Sequence, residues 1–205
     1  MVSKYALMPF RRTKISVGIL GGSFNPPHDG HCYVAQQAKK RLALDKVFLL
    51  TSPRNPFKSG NMRGSLQERF NKTQDLLTFK WHRYGNIRAS KIEEHFTDCY
   101  TANTIARLST LHPETNFIWL MGKDNLMQIH KWYKWPKIFQ NSHVCIIDRD
   151  SKNHHSEYGI VLSRYPKRTV SNDITRKRPT KGSWSFFKLT KIHLSSSALN
   201  KKNNR

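Results

Sequence analysis

The sequence predicts an α/β fold, a mostly parallel sheet with helices on both faces. Two observations carry that prediction. Short apolar runs of strand length alternate with longer amphipathic segments of helix length. The first apolar run ends in two glycines and passes through "SFNPPHDGH" into a helix-like stretch. In folds of this class ligands bind beyond the carboxyl ends of the strands, where that turn falls.

"KISVGILGG" (14–22) reads as a buried strand ending in glycines, and "HCYVAQQAKKRLAL" (31–44) as an amphipathic helix. "KVFLLTS" (46–52) is a second buried strand, followed by the Pro/Asn-rich loop "PRNPFKSGNMRG". Ser65 and Glu68 have the spacing of a capping box and open a helix over "SLQERFNKTQDLLTF". "NIRAS" (86–90) is a short strand. "TANTIARLSTLH" (101–112) is helical, with Ile105, Leu108 and Leu111 on one face. "NFIWLMG" (116–122) is the clearest strand, and "HVCIID" (143–148) and "WSFFKL" (184–189) complete the set. The Gly21–His31 loop, the Thr51–Lys58 loop and the Gly122–Asp124 turn then share one rim. Residues 150–182 are polar, basic and aperiodic, and read as a surface excursion.

A chain of 205 residues buries one good core, so residues 1–205 are expected to form a single domain. Residues 1–13 are read as an N-terminal extension and 201–205 as a basic tail. No apolar run approaches the roughly 20 residues that span a bilayer. "MVSKYALMPFRRTK" lacks the apolar core and cleavage site of a signal peptide. Cys32, Cys99 and Cys145 are widely spaced and form no CxxC pair. A disulfide framework and a thiolate zinc site are therefore not expected, and a reducing cytoplasm is. Thirty-six Lys and Arg against thirteen Asp and Glu give a formal net charge of +23. Such a surface attracts anions generally, whether phosphorylated metabolites or nucleic acid. No helix-turn-helix, zinc-finger or RNA-binding aromatic signature accompanies the charge, so nucleic acid is expected to bind only nonspecifically, if at all.

The turn at 21–31 suits a small polyanion. Gly21 and Gly22 allow backbone to approach a ligand, because no Cβ intervenes and positive φ is accessible. Pro26 and Pro27 stiffen the entry to a helix that begins near His28 or Asp29. The free N–H groups and positive dipole end of that helix point at the loop, where a phosphate belongs. His28 and His31 stand three apart, on one side of the first turn. The pattern is neither a P-loop, lacking the Lys-Ser/Thr end, nor GxGxxG. Zinc binding by the His pair finds no partner ligands at suitable spacing. Two solvent-exposed capping histidines are the plainer alternative. Trp132, Tyr133 and Trp135 read either as core packing or as a ring-stacking platform, and Asp124 and Thr101 either as helix caps or as ligand contacts.

"GGSFNPPHDGH" closely resembles the GxFxPxHxGH signature of the nucleotidylyltransferase superfamily. "YTANTIARL", "FIWLMGKDNLMQIHKWYKWPKIF" and the terminal "LSSSALN" are similar to the central block and ISSTxxR motif of the bacterial nicotinate-nucleotide adenylyltransferase family. The resemblance runs from about Ile15 to Asn200. It implies a Rossmann-like fold that joins ATP and nicotinate mononucleotide into deamido-NAD and pyrophosphate, with Mg²⁺ carried on the triphosphate and no metal held by the protein. It implies that Gly21, Gly22, Ser23 and Phe24 hold the adenylate phosphate, and that His28 and His31 are catalytic. Gly122, Asp124, Arg149, Ser196 and Ser197 fall on the ATP side. Trp132 would stack on the nicotinate ring, backbone N–H groups of Thr101 and Tyr133 would receive its carboxylate, and Lys58 would lie in the substrate loop. The sister phosphopantetheine adenylyltransferases are the enzymatic alternative, which "YTANT" and "KWYKW" disfavour.

The final motif departs from the family. Asn200 stands where the family has Arg, and Ser197 where it has Thr. Asn supplies neither the charge nor the bidentate fork of a guanidinium. Lys201 would leave a helix roughly 100° further round. A weakened ATP site is expected. Asn200→Arg should therefore lower the KM for ATP roughly tenfold, the scale of one charged hydrogen bond. Equal KM values for the two proteins in steady-state kinetics would remove the expectation.

Overall fold

The computed structural model describes residues 14–53, 64–81, 85–148 and 179–189. The apolar runs form six strands: β1 (Ser16–Gly22), β2 (Lys46–Thr51), β3 (Ile87–Ser90), β4 (Asn116–Gly122), β5 (His143–Asp148) and β6 (Trp184–Lys188). Between them lie α1 (Asp29–Arg41), α2 (Leu66–Lys80), α3 (Thr101–Leu111), α4 (Lys123–Leu126) and α5 (Trp135–Asn141). The strands make one sheet in the order β3-β2-β1-β4-β5-β6, and every neighbouring pair is parallel. A parallel sheet needs cover on both faces, which explains why its strands carry few polar residues.

Alternate residues of each strand feed two cores. Val17, Ile19, Phe48, Leu50, Phe117 and Trp119 pack with Ile105 and Leu108 of α3 and with Ile138 and Phe139 of α5. Leu20, Val47, Leu49, Ile118 and Leu120 pack with Cys32, Ala35 and Ala38 of α1 and Leu77 of α2. Hence α1 and α2 cover one face and α3 to α5 the other. From β1 the chain winds outward to β3, then returns to the opposite side of β1 as β4. The strand order thus reverses between β1 and β4, and the crevice at that reversal opens at the carboxyl ends.

The base of the sheet is closed by polar contacts. Ser16 N–H donates to Asp45 Oδ2 at 2.7 Å, and Asp45 N–H returns a bond to the Ser16 carbonyl at 2.9 Å. His143, fully buried at the start of β5, bonds Ser183 Oγ and Ser185 Oγ at 2.8 Å each and so fastens β6.

Differences from the sequence reading are local. The first helix is Asp29–Arg41 rather than 31–44, because Ala43 takes a left-handed φ of 48°. α4, α5 and 3-10 turns at Ile92–His95 and Ile129–Lys131 had no sequence prediction. Of the expected excursion, 150–178 lie outside the described residues, as do 1–13 and 201–205. Its end is tied down: Pro179 is buried and its carbonyl accepts from Asn116 Nδ2, while Gly182 N–H donates to the Phe139 carbonyl at 3.0 Å. Among the described residues no helix is long and apolar enough to cross a membrane.

A Cβ on Gly21 would collide with the Trp119 indole, reaching Cζ2 at 3.0 Å and Cη2 closer still. Gly21→Ala should therefore destabilise the fold by about 1–3 kcal/mol through overpacking. Gly85→Ala, with nothing within 4 Å of its new methyl, serves as the control. Equal denaturation midpoints for the two variants would count against the packing argument.

Candidate active site

β1 ends at Gly22, and the loop to α1 crosses the rim beside the crevice. Both glycines are used by the protein itself: the Trp119 ring fills the space at Gly21, and the Phe24 ring lies 3.2 Å from a Cβ built on Gly22. Among the described glycines, positive φ belongs to Gly64 and Gly182. In this loop the left-handed residue is Phe24, at φ 44°, its side chain buried. The glycines thus admit aromatic rings, a role that the sequence reading, with its emphasis on ligand approach and positive φ, did not give them. Asn25–Pro26 is cis.

His28 is the N-cap of α1, extended in backbone and 6 % exposed. Its ring stacks on that of His31, centroids 3.7 Å apart and planes 26° from parallel. Phe24 meets His31 edge-on at 4.9 Å. The His28 N–H donates to His31 Nδ1 at 3.2 Å. An accepting Nδ1 carries no proton, so the neutral His31 ring carries its proton on Nε2. The exposed-cap alternative fails for His28, whose burial and stacking fix the pair at the helix start.

Asp29 is the sole acid of the loop. Its Oδ2 accepts from Lys80 Nζ at 2.6 Å and its Oδ1 from Trp81 Nε1 at 3.0 Å. Burial alone would raise its pKa, but those two bonds and the Lys80 charge hold the carboxyl below its ordinary value. The acid is ionised, paired and drawn toward the end of α2.

Arg69, on α2, was absent from the sequence reading. It is 3 % exposed, and its Nη1 donates to the carbonyls of both Ser23 (2.7 Å) and Ser52 (2.9 Å). Ser52 follows β2, and its N–H donates to the Gly22 carbonyl at 3.0 Å. The Ser52 side chain bonds Glu93, which is 5 % exposed and accepts from Thr104 Oγ1 of α3 at 2.7 Å. No sequence signal marks Arg69 or Glu93, since both stand among polar neighbours in "LQERFNKTQ" and "KIEEHF".

The far side of the crevice is built by β4, β5 and α3. Gly122 caps α4, and Asp124 is an exposed residue of its first turn. Lys123 Nζ approaches Asp148 Oδ2 at 3.5 Å, both side chains largely buried. Thr101 is the first residue of α3, capped by Tyr100. The Tyr100 and Tyr133 rings pair at 4.6 Å with a 33° tilt, and both are exposed. Trp132 packs partly against the core, as does Trp135, which meets Phe139 edge-on at 6.0 Å. The exposed aromatic pair at this rim is therefore Tyr100 with Tyr133, of which the sequence reading had only Tyr133. Lys58, Arg149, Ser196, Ser197 and Asn200 lie outside the described residues. Burial pushes the thiols of Cys32 and Cys145 up to about 12, which removes both as nucleophiles near neutrality.

A family model described as cytidylyltransferase-like matches residues 19–200. The chain belongs to that family. A Rhizobium etli protein named "Probable nicotinate-nucleotide adenylyltransferase" is 35% identical over 89% of this chain and 94% of its own length. A Brucella suis protein of the same name is 35% identical over 91% and 95%. In fold the chain is similar to a Plasmodium falciparum nicotinic acid mononucleotide adenylyltransferase complexed with NaAD, at TM-score 0.70 and 19% identity, covering 91% of this chain and 83% of that one. This agrees with the expected Rossmann-like nucleotidylyltransferase architecture.

Within this cytidylyltransferase-like frame Glu93 is the titratable oddity. Burial lifts its carboxyl to about 7, with a smaller push from the Asp98 charge and opposition from the Thr104 and Ser52 hydrogen bonds. The folded state therefore holds a proton that the unfolded chain releases near pH 4.5, and this contribution to stability is lost as pH rises toward 7. Relative to Glu93→Gln, the wild type should lose about 3 kcal/mol of unfolding free energy between pH 4.5 and pH 8. A pH-independent difference in urea denaturation would show that Glu93 titrates normally.

Proposed function

We propose that the chain transfers the adenylyl group of ATP to nicotinate mononucleotide, forming deamido-NAD and pyrophosphate, in the cytoplasm. The observation that carries the reading is the stacked His28–His31 pair at the start of α1, beside the β1/β4 crevice of a cytidylyltransferase-like fold. Relatives spanning nearly the full chain bear the corresponding name.

In this reading the monoester phosphate of nicotinate mononucleotide attacks the α-phosphorus of ATP in line. A P–O bond to the incoming phosphate forms as the bond to the bridging oxygen breaks, and pyrophosphate leaves with that electron pair. A phosphate monoester has a second pKa near roughly 6 and is largely ionised at neutral pH, so no general base is required. The protein has to align two anions and stabilise charge on the leaving group. His28, His31 and the first N–H groups of α1 do this at the phosphates, with the backbone of Gly21, Gly22, Ser23 and Phe24 shaping the loop. Gly122, Asp124, Arg149, Ser196 and Ser197 contact ATP. Thr101, Trp132, Tyr133 and Lys58 contact the nicotinate nucleotide, the N–H at the start of α3 receiving its carboxylate.

Asp29 is engaged by Lys80 and Trp81, and the described residues contain no group of three or more His, Cys, Asp or Glu suited to a metal ion. These residues do not fit a resident metal. Magnesium enters on the triphosphate as part of the substrate.

Pyrophosphate release should require ATP, Mg²⁺ and nicotinate mononucleotide, and be much slower with the nicotinamide form. His31→Ala should lower kcat by roughly 100-fold, the scale of losing one preorganised donor. Equal release from the mutant, or none from wild type with either pyridine nucleotide, would overturn the assignment.

A further inference from the structure

The carboxyl edge of a parallel sheet presents the strand-end carbonyls to the ligand crevice. Oxygen lone pairs lining a phosphate site repel the ligand. At β1 and β2 the first such carbonyls beyond the ladder, those of Ser23 and Ser52, are both bonded by one Arg69 nitrogen. Arg69 reaches them from α2, on the α1/α2 face. Ser52 passes the connection through its side chain to Glu93, and Glu93 to Thr104 of α3, on the opposite face. Thr104 stands three residues after Thr101, the first residue of α3.

A hydrogen-bonded path thus crosses over the rim of the sheet, from the loop of Ser23 to the start of α3. Burying a guanidinium and a carboxyl is costly, and apolar packing generally stabilises as well or better. Among the described residues, Arg69 Nε and Glu93 Oε2 are buried with no hydrogen-bond partner.

We propose that Arg69 and Glu93 are positioning residues that join, through Ser52, the phosphate loop to α3, so that the ATP and nicotinate halves of the crevice are set by one bridge. This rests on the reading of the crevice as an ATP and nicotinate mononucleotide site. A substitution at either end of the bridge then disturbs the binding of both substrates.

The test is a double-mutant cycle of Arg69→Gln and Thr104→Val, with KM for each substrate and kcat measured for every protein. Each single variant should raise both KM values about 3- to 10-fold, the worth of one or two hydrogen bonds. The double variant should fall short of the product of the two effects. Arg69→Lys should recover part of the loss by keeping a cation, and Thr104→Ser should recover most of it by keeping the hydroxyl. A merely structural role would lower kcat through the folded fraction and leave both KM values in place, which would overturn the proposal. So would Thr104→Val raising the KM for nicotinate mononucleotide alone, or effects that multiply. If the wild type turns over neither pyridine nucleotide, the functional reading falls, and the bridge is decided by ATP binding in calorimetry: Thr104→Val, at the far end, should still weaken it about 3- to 10-fold, and an unchanged Kd would overturn the bridge.

Discussion

The parallel sheet imposes the constraint from which the rest follows. Because helices cover both faces, every polar function is forced to the strand ends, and at the carboxyl ends the chain presents carbonyl oxygens. An anion site there needs the local field reversed. α1 directs the N–H groups of its first turn toward the rim, and Arg69 takes up the Ser23 and Ser52 carbonyls. Two imidazoles stand stacked at the same point, and the Lys80 ammonium holds the Asp29 carboxylate.

These arrangements depend on one another. The His28 carbonyl accepts from the His31 N–H at 2.9 Å, and the His28 N–H donates to His31 Nδ1, so the helix start and the His31 tautomer are set together. The ring of Phe24, held at positive φ, walls His31 on its edge and fills the space at Gly22. Trp119 plays the matching part at Gly21, from β4 across the crevice. The loop is therefore shaped from inside by aromatic rings before any ligand arrives. Preorganisation of that kind suits a reaction in which the protein does little covalent chemistry and chiefly holds charges in line.

What was legible in the sequence follows from what leaves a periodic or punctuated trace. The four central strands were readable because a strand buried on both faces is a continuous apolar run, whereas the edge strands β3 and β6 are only partly apolar and show through their short length and bracketing turns. The His28–His31 pair was readable because glycines, prolines and a helix start bracket it. α5 was not, since seven residues beginning "WP" carry too little periodicity, and its entry depends on Lys134 at φ 47°. Arg69 and Glu93 were not, because a buried charge in a polar stretch looks like a solvated one until the fold brings its partners in from 46 and 11 residues away. The aromatic rings at the glycines were not legible for a similar reason: Trp119 lies far off in sequence, and only the register of β1 on β4 brings its ring over Gly21.

The two ends of the crevice repeat one electrostatic device. α1 and α3 start at the rim from opposite faces, and each has an aspartate at its threshold, Asp29 and Asp98. A free carboxylate at either place would compete with a substrate anion for the helix N–H groups. Lys80 and Trp81 hold the first, while the N–H of Tyr100, which precedes α3, the Asn103 amide and the Arg107 guanidinium, at 3.0 Å, hold the second. Burial would raise Asp98, yet its hydrogen bonds and the Arg107 charge keep it below the ordinary value, so it stays ionised and paired. α3 has no acid in its first turn, which leaves that dipole end for an incoming carboxylate. An amide carries no charge to meet it. A helix start whose nearby acid is already paired favours an incoming carboxylate over an uncharged amide without a dedicated cation.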